Sequence, residues 1–459
     1  MTFQRRLSRR EFIRLTGIAA AGTALAACGV PSPTATSAPA ATAGPVSTAA
    51  GAATSAPATI SSSGKSITVG METGSQFWTE FYQSRVAAFS SKSGIQFNPL
   101  FAPHAEMKQR FITEEIAGSG AIDVYMLDQP WVGQFIAAKY LLPITSRVDP
   151  ADKADFSPTA LATNSSKGEI YGLPFLVHNS VLYYRTDLYK AAGITAPPKT
   201  WDEYRANAKK LTQADQGIYG AIMEGKEGPE PAAKYMDLLQ QAGGKILDDS
   251  GKVVLNAGPA VDAFKFMLAI QYEDKTSPPG GPGFDNGDTH TLFLQGKLAQ
   301  APNWPYMWVL ASDPKQSKVI GNYAVAIQPG KVKQAAEVFS WGWGISAHSK
   351  NPDAAFEFIK WATTSDMLAA FGKTFTNPVP RKSSLQTLLS DSSMTKESLA
   401  VIQTMSDSVA ASDTIQVIPQ WADIQDRIGA LVSKVMSKQA TPEDAVNAAQ
   451  ADLEKLMKA

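Results

Sequence analysis

Residues able to do chemistry are few in this chain, and their spacing does not suit catalysis. His104, His178, His290 and His348 are its only histidines, and each stands alone. A zinc site or a nucleophilic triad needs partners at set spacings, which these lack. Glu114-Glu115 and Asp248-Asp249 are adjacent pairs. Neighbours on a helix do not face one another, so both pairs read as solvated surface. "DNGD" at 285–288 lacks the ligand spacing of a calcium loop and reads as a turn. Tyr183-Tyr184 falls on alternate faces of a strand, which explains the pair more simply than iron binding by phenolates. No phosphate-cradling glycine loop, nucleophile elbow or zinc-binding helix motif occurs. The sequence points to no catalytic residue, no metal and no cofactor.

What the chain does concentrate is aromatic rings beside polar side chains in loops. The stretches are "ETGSQFW" (72–78), "LDQPW" (127–131), "FLVHNS" (175–180), "APNWPYMW" (301–308), "SWGWG" (340–344) and "IPQW" (418–421). A sugar offers flat C–H faces edged by hydroxyls. Rings cover the faces while carboxylates and amides take the hydroxyls, so this mixture points to carbohydrate recognition. Trp304 and Trp341 lie in Pro- and Gly-rich loops that bury rings poorly, and read as ligand contacts. Trp361, on a helix, reads as core. Asp128 suits a hydroxyl acceptor and a helix cap equally, and Arg381 suits the cleft and a surface pair equally.

The elements that must position these residues alternate. Residues 67–71, 95–100 and 123–127 read as strands, the last running into Asp128, with helices expected over 79–92 and 104–117. That order predicts an α/β fold with a parallel sheet. Thr200-Trp201-Asp202-Glu203 is a capping box. Asn351-Pro352 and Thr441-Pro442 place a cap and then a proline at two further helix starts. "PPGGPGFDNGD" (278–288) reads as a loop ended by an Asp288 cap. The chain has 459 residues and a formal net charge of zero. Residues 65–459 are too many for one ordinary core and predict two lobes. No basic face announces nucleic acid, and no run after the first residues is apolar enough to span a membrane.

The amino terminus differs from the rest. Five arginines (Arg5, Arg6, Arg9, Arg10 and Arg14) precede an uncharged apolar run at 15–27. That is the layout of an export signal. Ser8-Arg9-Arg10-Glu11-Phe12-Ile13-Arg14 resembles the twin-arginine signal. Leu25-Ala26-Ala27-Cys28 resembles the cleavage site of bacterial lipoproteins, and that resemblance implies lipid attachment at Cys28, the only cysteine. Residues 1–27 are thus expected to be a signal peptide. Residues 28–64, charge-free up to their end and rich in Ala, Ser, Thr and Pro, cannot offset their ordering entropy and read as a tether. The protein is expected outside the cell membrane, anchored to its outer face.

"GEIYGLPFLVHNSVLYYRTDLYKAAGITAPPKTWDEY" (168–204) closely resembles the solute-binding lipoproteins of sugar ABC transporters, the maltose-binding-protein-like family. "FLQGKLAQAPNWPYMW" (293–308), "SWGWGISAHSKNPDAAFEFIKWA" (340–362), "IPQW" and "KQATPEDAVNAAQADLEKL" (438–456) resemble its later segments in the same order. The resemblance implies a two-lobed periplasmic-binding-protein-like fold with a hinge and an interlobe ligand cleft. It places 65–176 plus 345–397 in the N-terminal lobe and 177–344 plus 398–459 in the C-terminal lobe. Crossings are expected near 174–179, 340–345 and 395–400. It implies a carbohydrate ligand, membrane permease subunits as partners, a monomer, and no enzyme activity. By position it implies ligand contacts at Glu72, Gln76, Trp78, Asp128, Gln129, Trp131, His178, Asn179, Trp304, Tyr306, Trp341, Trp343, Arg381 and Trp421. Many relatives carry Gly where Trp341 stands, and some carry a carboxylate where His178 stands, so the sugar's size and identity stay open.

Two other functions stay open on the sequence. A receptor for a glycerol-phosphate-like solute needs cations in the cleft, for which Arg381 and Lys226 are the candidates. A secreted glycoside-cleaving lipoprotein needs two cleft carboxylates about 5–10 Å apart, for which Glu72 and Asp128 are the pair.

Overall fold

Apolar residues at alternate positions set the first strand. In β1 (Lys65–Thr73), Ile67, Val69 and Met71 share one buried face. The computed structural model describes residues 65–73, 78–256 and 258–458. β2 (Ile95–Pro103) and β3 (Val124–Asp128) lie parallel to β1 on either side, as the alternation predicts. After the short hairpin β4 (Ser165–Ser166) and β5 (Glu169–Ile170) comes β6 (Gly172–His178). The sheet order is β2-β1-β3-β10-β6, with β10 (Phe339–Ile345) antiparallel to both of its neighbours. Helices Trp78–Gln83, Val86–Ser93, Pro352–Ala362 and Ser365–Phe375 cover one face. Helices His104–Ala117 and Gln129–Ala137 cover the other.

A second sheet holds β7 (Val181–Arg185) between β8 (Gln300–Asn303) and β9 (Tyr323–Ala326), all antiparallel. Helices Trp201–Leu211, Pro229–Gln241, Gly258–Leu268, Trp421–Met436 and Pro442–Leu456 bury one large apolar cluster against it. The chain therefore makes two α/β lobes and passes between their sheets three times. The first passage is residues 179–180, between β6 and β7. The second leads from β9 into β10. The third is the helix Lys396–Ala410, which packs on both β6 and β9, with the segment 411–415 that follows it. Residues 177–178 and 339–344, expected in the C-terminal lobe, are strand residues of the first sheet, because β10 pairs with β3 and β6 along its length.

Local signals hold in part. Thr200 and Glu203 form both bonds of the capping box, and Thr441 accepts from Asp444 N. Asn351 stands before Pro352 but makes no side-chain cap bond. Asp285, not Asp288, caps the helix Asn286–Leu294. Asp288 is its third residue and bonds back to Asp285 N. The expected 79–92 helix is two helices broken at 84–85. Gly342 has a steric reason. A Cβ there would lie 2.6 Å from Asn164 Oδ1, so the crossover strand needs glycine where Asn164 packs on it.

Candidate functional site

Ends of strands from both lobes meet at one hollow of about 430 Å³. Glu72 and Asp128 come from the C-terminal ends of β1 and β3, where an open parallel sheet leaves room for a ligand. His104 follows the end of β2 and starts the next helix. Trp341 of β10 is the register partner of Asp128, so the two side chains project from the same face. His178 closes β6. From the second lobe come Glu230 near the start of helix Pro229–Gln241, Trp304 just after β8, Asn286, and Gln425 and Asp426 of helix Trp421–Met436.

The aromatic rings form a continuous belt across the lobes. Trp131 lies 6.2 Å from Trp341, Trp341 lies 5.3 Å from Trp78, and Trp78 lies 6.3 Å from His178. His178 in turn packs 5.1 Å from Trp304. His104 rests on Trp131 at 4.5 Å. The rings shield one another: Trp341 is 9% exposed and Trp304 8%. Only a small part of each faces the hollow.

Trp304 is held from several sides. Its indole Nε1 donates to Glu230 Oε2 at 2.7 Å, and Lys234 Nζ sits 5.1 Å from its ring centroid. Tyr183 OH points at the Trp304 and Pro305 carbonyls, 3.1 and 3.2 Å away. Across the hollow, His104 Nε2 and Asp128 Oδ2 are 3.0 Å apart. Asp128 occupies a cap position but makes no cap bond. Its carboxylate turns to His104 instead.

The electrostatics follow from burial. Desolvation raises the Glu72 and Glu230 carboxyls. For His104, burial pulls the pKa down, but the bond to Asp128 and the charges of Asp128, Glu72 and Glu230 outweigh it, and the value is raised. His178 is the reverse. Burial, helped by Lys234, pushes it down to about 3, so it is neutral at physiological pH. The lining thus carries four carboxylates (Glu72, Asp128, Glu230 and Asp426) against Lys108 and His104. Such a surface accepts hydrogen bonds from hydroxyls on many sides and repels anions.

Residues 78–368 match the family described as bacterial extracellular solute-binding protein. This chain belongs to that family. The solute-binding protein is 28% identical to the mannitol-binding protein of Pseudomonas aeruginosa over 381 residues, 77% of this chain and 84% of that one. Its fold is similar to that of maltose-bound T. maritima MalE3 (TM-score 0.77, 27% identity, covering 85% of this chain and 99% of that chain). It is also similar to an ABC transporter solute-binding protein from Agrobacterium radiobacter K84 in complex with ribitol (TM-score 0.74, 28% identity, 86% and 99%).

In this solute-binding protein, Glu72, Trp78, Asp128, Trp131, His178, Trp304 and Trp341 share the hollow. The other residues anticipated from the sequence lie elsewhere. Trp343, two residues beyond Trp341 on the same face, is fully buried under Tyr82, Phe175 and Phe358. Arg381 is buried in the first lobe and pairs with Asp152 at 2.7 Å and Asp155 at 3.2 Å. Gln129 Nε2 donates to Thr414 Oγ1 and Ile415 O, and Asn179 Nδ2 to Ala336 O and Ser412 Oγ, so both serve the passages. Tyr306 stands one layer back, its hydroxyl 2.9 Å from His290 Nδ1 and 3.3 Å from Asn286 Nδ2. Trp421 lines a separate hollow with Gln240, Glu337 and Thr414. Gln76 and Cys28 lie outside the described residues. Lys226 is exposed and pairs with Asp285. Sequence reasoning missed His104, Lys108, Glu230, Asn286, Gln425 and Asp426. The end of a strand, which marks Asp128, has its counterpart in His104 after β2.

Proposed function

We propose that this solute-binding protein captures a neutral sugar or polyol between its lobes and presents it to the membrane subunits of an ABC importer. One observation carries the reading. Two tryptophan-bearing walls, Trp304 on one lobe and Trp341 with Trp78 and Trp131 on the other, enclose a hollow with Glu72, Asp128 and Glu230 among its polar groups. Indole rims pack against C–H faces while the carboxylates accept from hydroxyls. The names of the relatives (mannitol, maltose, ribitol) support the same ligand class. Contact with both lobes at once is what favours a closed arrangement.

The carboxyl groups of the lining outnumber Lys108 and His104, which weighs against a phosphate-bearing solute, and Arg381 and Lys226 are both paired with carboxylates outside the hollow. For the amino terminus we propose export through the twin-arginine signal at 8–14 and lipid attachment at Cys28, a reading supported by the motif order in the sequence.

A thermal-shift screen tests the ligand class, because a ligand bound only by the folded form raises its melting point. Maltose, mannitol and ribitol should include at least one that shifts the transition, with no reducing ends released on prolonged incubation. A screen in which sugars and polyols leave the transition unmoved while glycerol 3-phosphate raises it would overturn the reading.

A further inference from the structure

Helix Pro229–Gln241 is buried from Pro231 onward, yet one of its stripes is polar. Glu230, Lys234, Asp237 and Gln240 recur at helical spacing and so lie along one side. The stripe starts in the cleft and ends at the hinge. Glu230 accepts from Trp304 Nε1 in the hollow. Lys234 Nζ donates to Ser180 Oγ at 2.6 Å, in the first passage. Asp237 Oδ1 accepts from Glu337 N at 2.8 Å, in the second passage. Its other oxygen accepts from Gln328 Nε2, which also donates to Ser180 O. Gln240 Oε1 accepts from Asp413 N at 2.9 Å, in the third passage, and its Nε2 lies within bonding reach of Glu337 Oε2 and Asp413 O.

One helix side is therefore bonded to all three passages and to the tryptophan of the cleft wall. A swing of one lobe on the other must change backbone angles in these passages. Each bonded atom there is buried or partly buried, and a buried polar group that loses its partner is costly. The passages and this helix must then move together or not at all.

We propose that Lys234, Asp237 and Gln240 are positioning residues that couple contact at Glu230 and Trp304 to hinge rotation, so that groups outside the hollow set how tightly it holds its ligand. The proposal rests on the reading that the ligand sits between the lobes. A purely structural role for the stripe would lower the melting point and leave both affinity and lobe spacing alone.

The test uses two variants outside the hollow, Gln240→Ala and Ser180→Ala, in the full chain. Spin labels go on Ile116→Cys and Ile320→Cys, which are exposed on the first and second lobes, with Cys28→Ser to leave no other thiol. Each variant should move the label-to-label distance distribution of the ligand-free protein. Each should also change the Kd for whichever of maltose, mannitol and ribitol the parent binds, by about tenfold. Folded variants that keep the parent's distances and Kd overturn the proposal. If Gln240→Ala does not fold, Ser180→Ala, which removes one hydroxyl oxygen, decides alone. If the parent binds none of the three probes, the cleft reading fails, and the ligand-free distances still judge the stripe.

Discussion

Trp304 and Glu230 meet in a hydrogen bond of 2.7 Å at the rim of the interlobe hollow, indole N–H to carboxylate. The bond fixes the plane of the ring that the second lobe turns toward the hollow. It also occupies one oxygen of a carboxylate that burial raises.

Glu230→Ala frees the indole, whereas Glu230→Gln keeps an acceptor for it. The alanine variant should bind the sugar or polyol about tenfold more weakly and the glutamine variant within about threefold of the parent. Titration calorimetry on the two reads the difference. Equal losses would mean that the charge, not the ring's position, matters.

Trp341 and Trp343 stand two residues apart on one strand with different surroundings. Trp341→Ala should weaken binding by about 2 kcal/mol or more, roughly thirtyfold. Trp343→Ala should act on stability first, at about 3–5 kcal/mol for emptying a fully buried site. Chemical denaturation and ligand titration on both variants separate the two losses, and a Trp341→Ala protein with parental Kd would remove that ring from the site.

Arg381 pairs with Asp152 and Asp155, and none of the three lines the hollow. Arg381→Ala leaves Asp155 beside an emptied, buried place, so stability should fall by about 2–4 kcal/mol, while the Kd stays unchanged. A weakened Kd at undiminished stability would return Arg381 to the cleft.

His178 gives a pH signature. In the fold its pKa is pushed down to about 3, whereas the unfolded chain takes up the proton near 6.5. Its neutral state therefore contributes stability in full above about pH 6.5, and that contribution is lost as pH falls toward 3. Asp237 and Glu224 act the other way. Burial raises them to about 6 and about 7, so their contribution is present in acid and lost as pH rises through those values. The melting-point advantage of the parent over His178→Gln isolates the histidine, and it should shrink from pH 7 to pH 4. An advantage that stays constant would contradict a neutral, buried His178.

The parallel strands were legible because apolar strand signals at 67–71, 95–100 and 123–127 alternate with helical ones. Asp128 followed from the strand that runs into it, and Glu72 from its position in the family resemblance. The lobe boundary at 344 was not legible. "SWGWGI" carries no mark of the sheet it joins, and only its pairing with β3 and β6 decides. Trp341 and Trp343 look equivalent in sequence and differ through Tyr82 and Phe175, which lie far earlier in the chain. Arg381 stayed balanced between the cleft and a surface pair because its partners, Asp152 and Asp155, lie over two hundred residues earlier. Glu230 lies in the first turn of a helix, where a polar residue is ordinary, so nothing local marked it as a cleft residue, whereas His104 follows a strand end as Asp128 does.

The most direct measurement is a calorimetric titration of maltose, mannitol, ribitol and glycerol 3-phosphate into the parent and into a Trp304→Ala, Trp341→Ala double variant. The account predicts saturable binding of at least one neutral compound by the parent, no binding of the phosphate, and loss of binding in a double variant that remains folded. Undiminished binding by the folded double variant would contradict it.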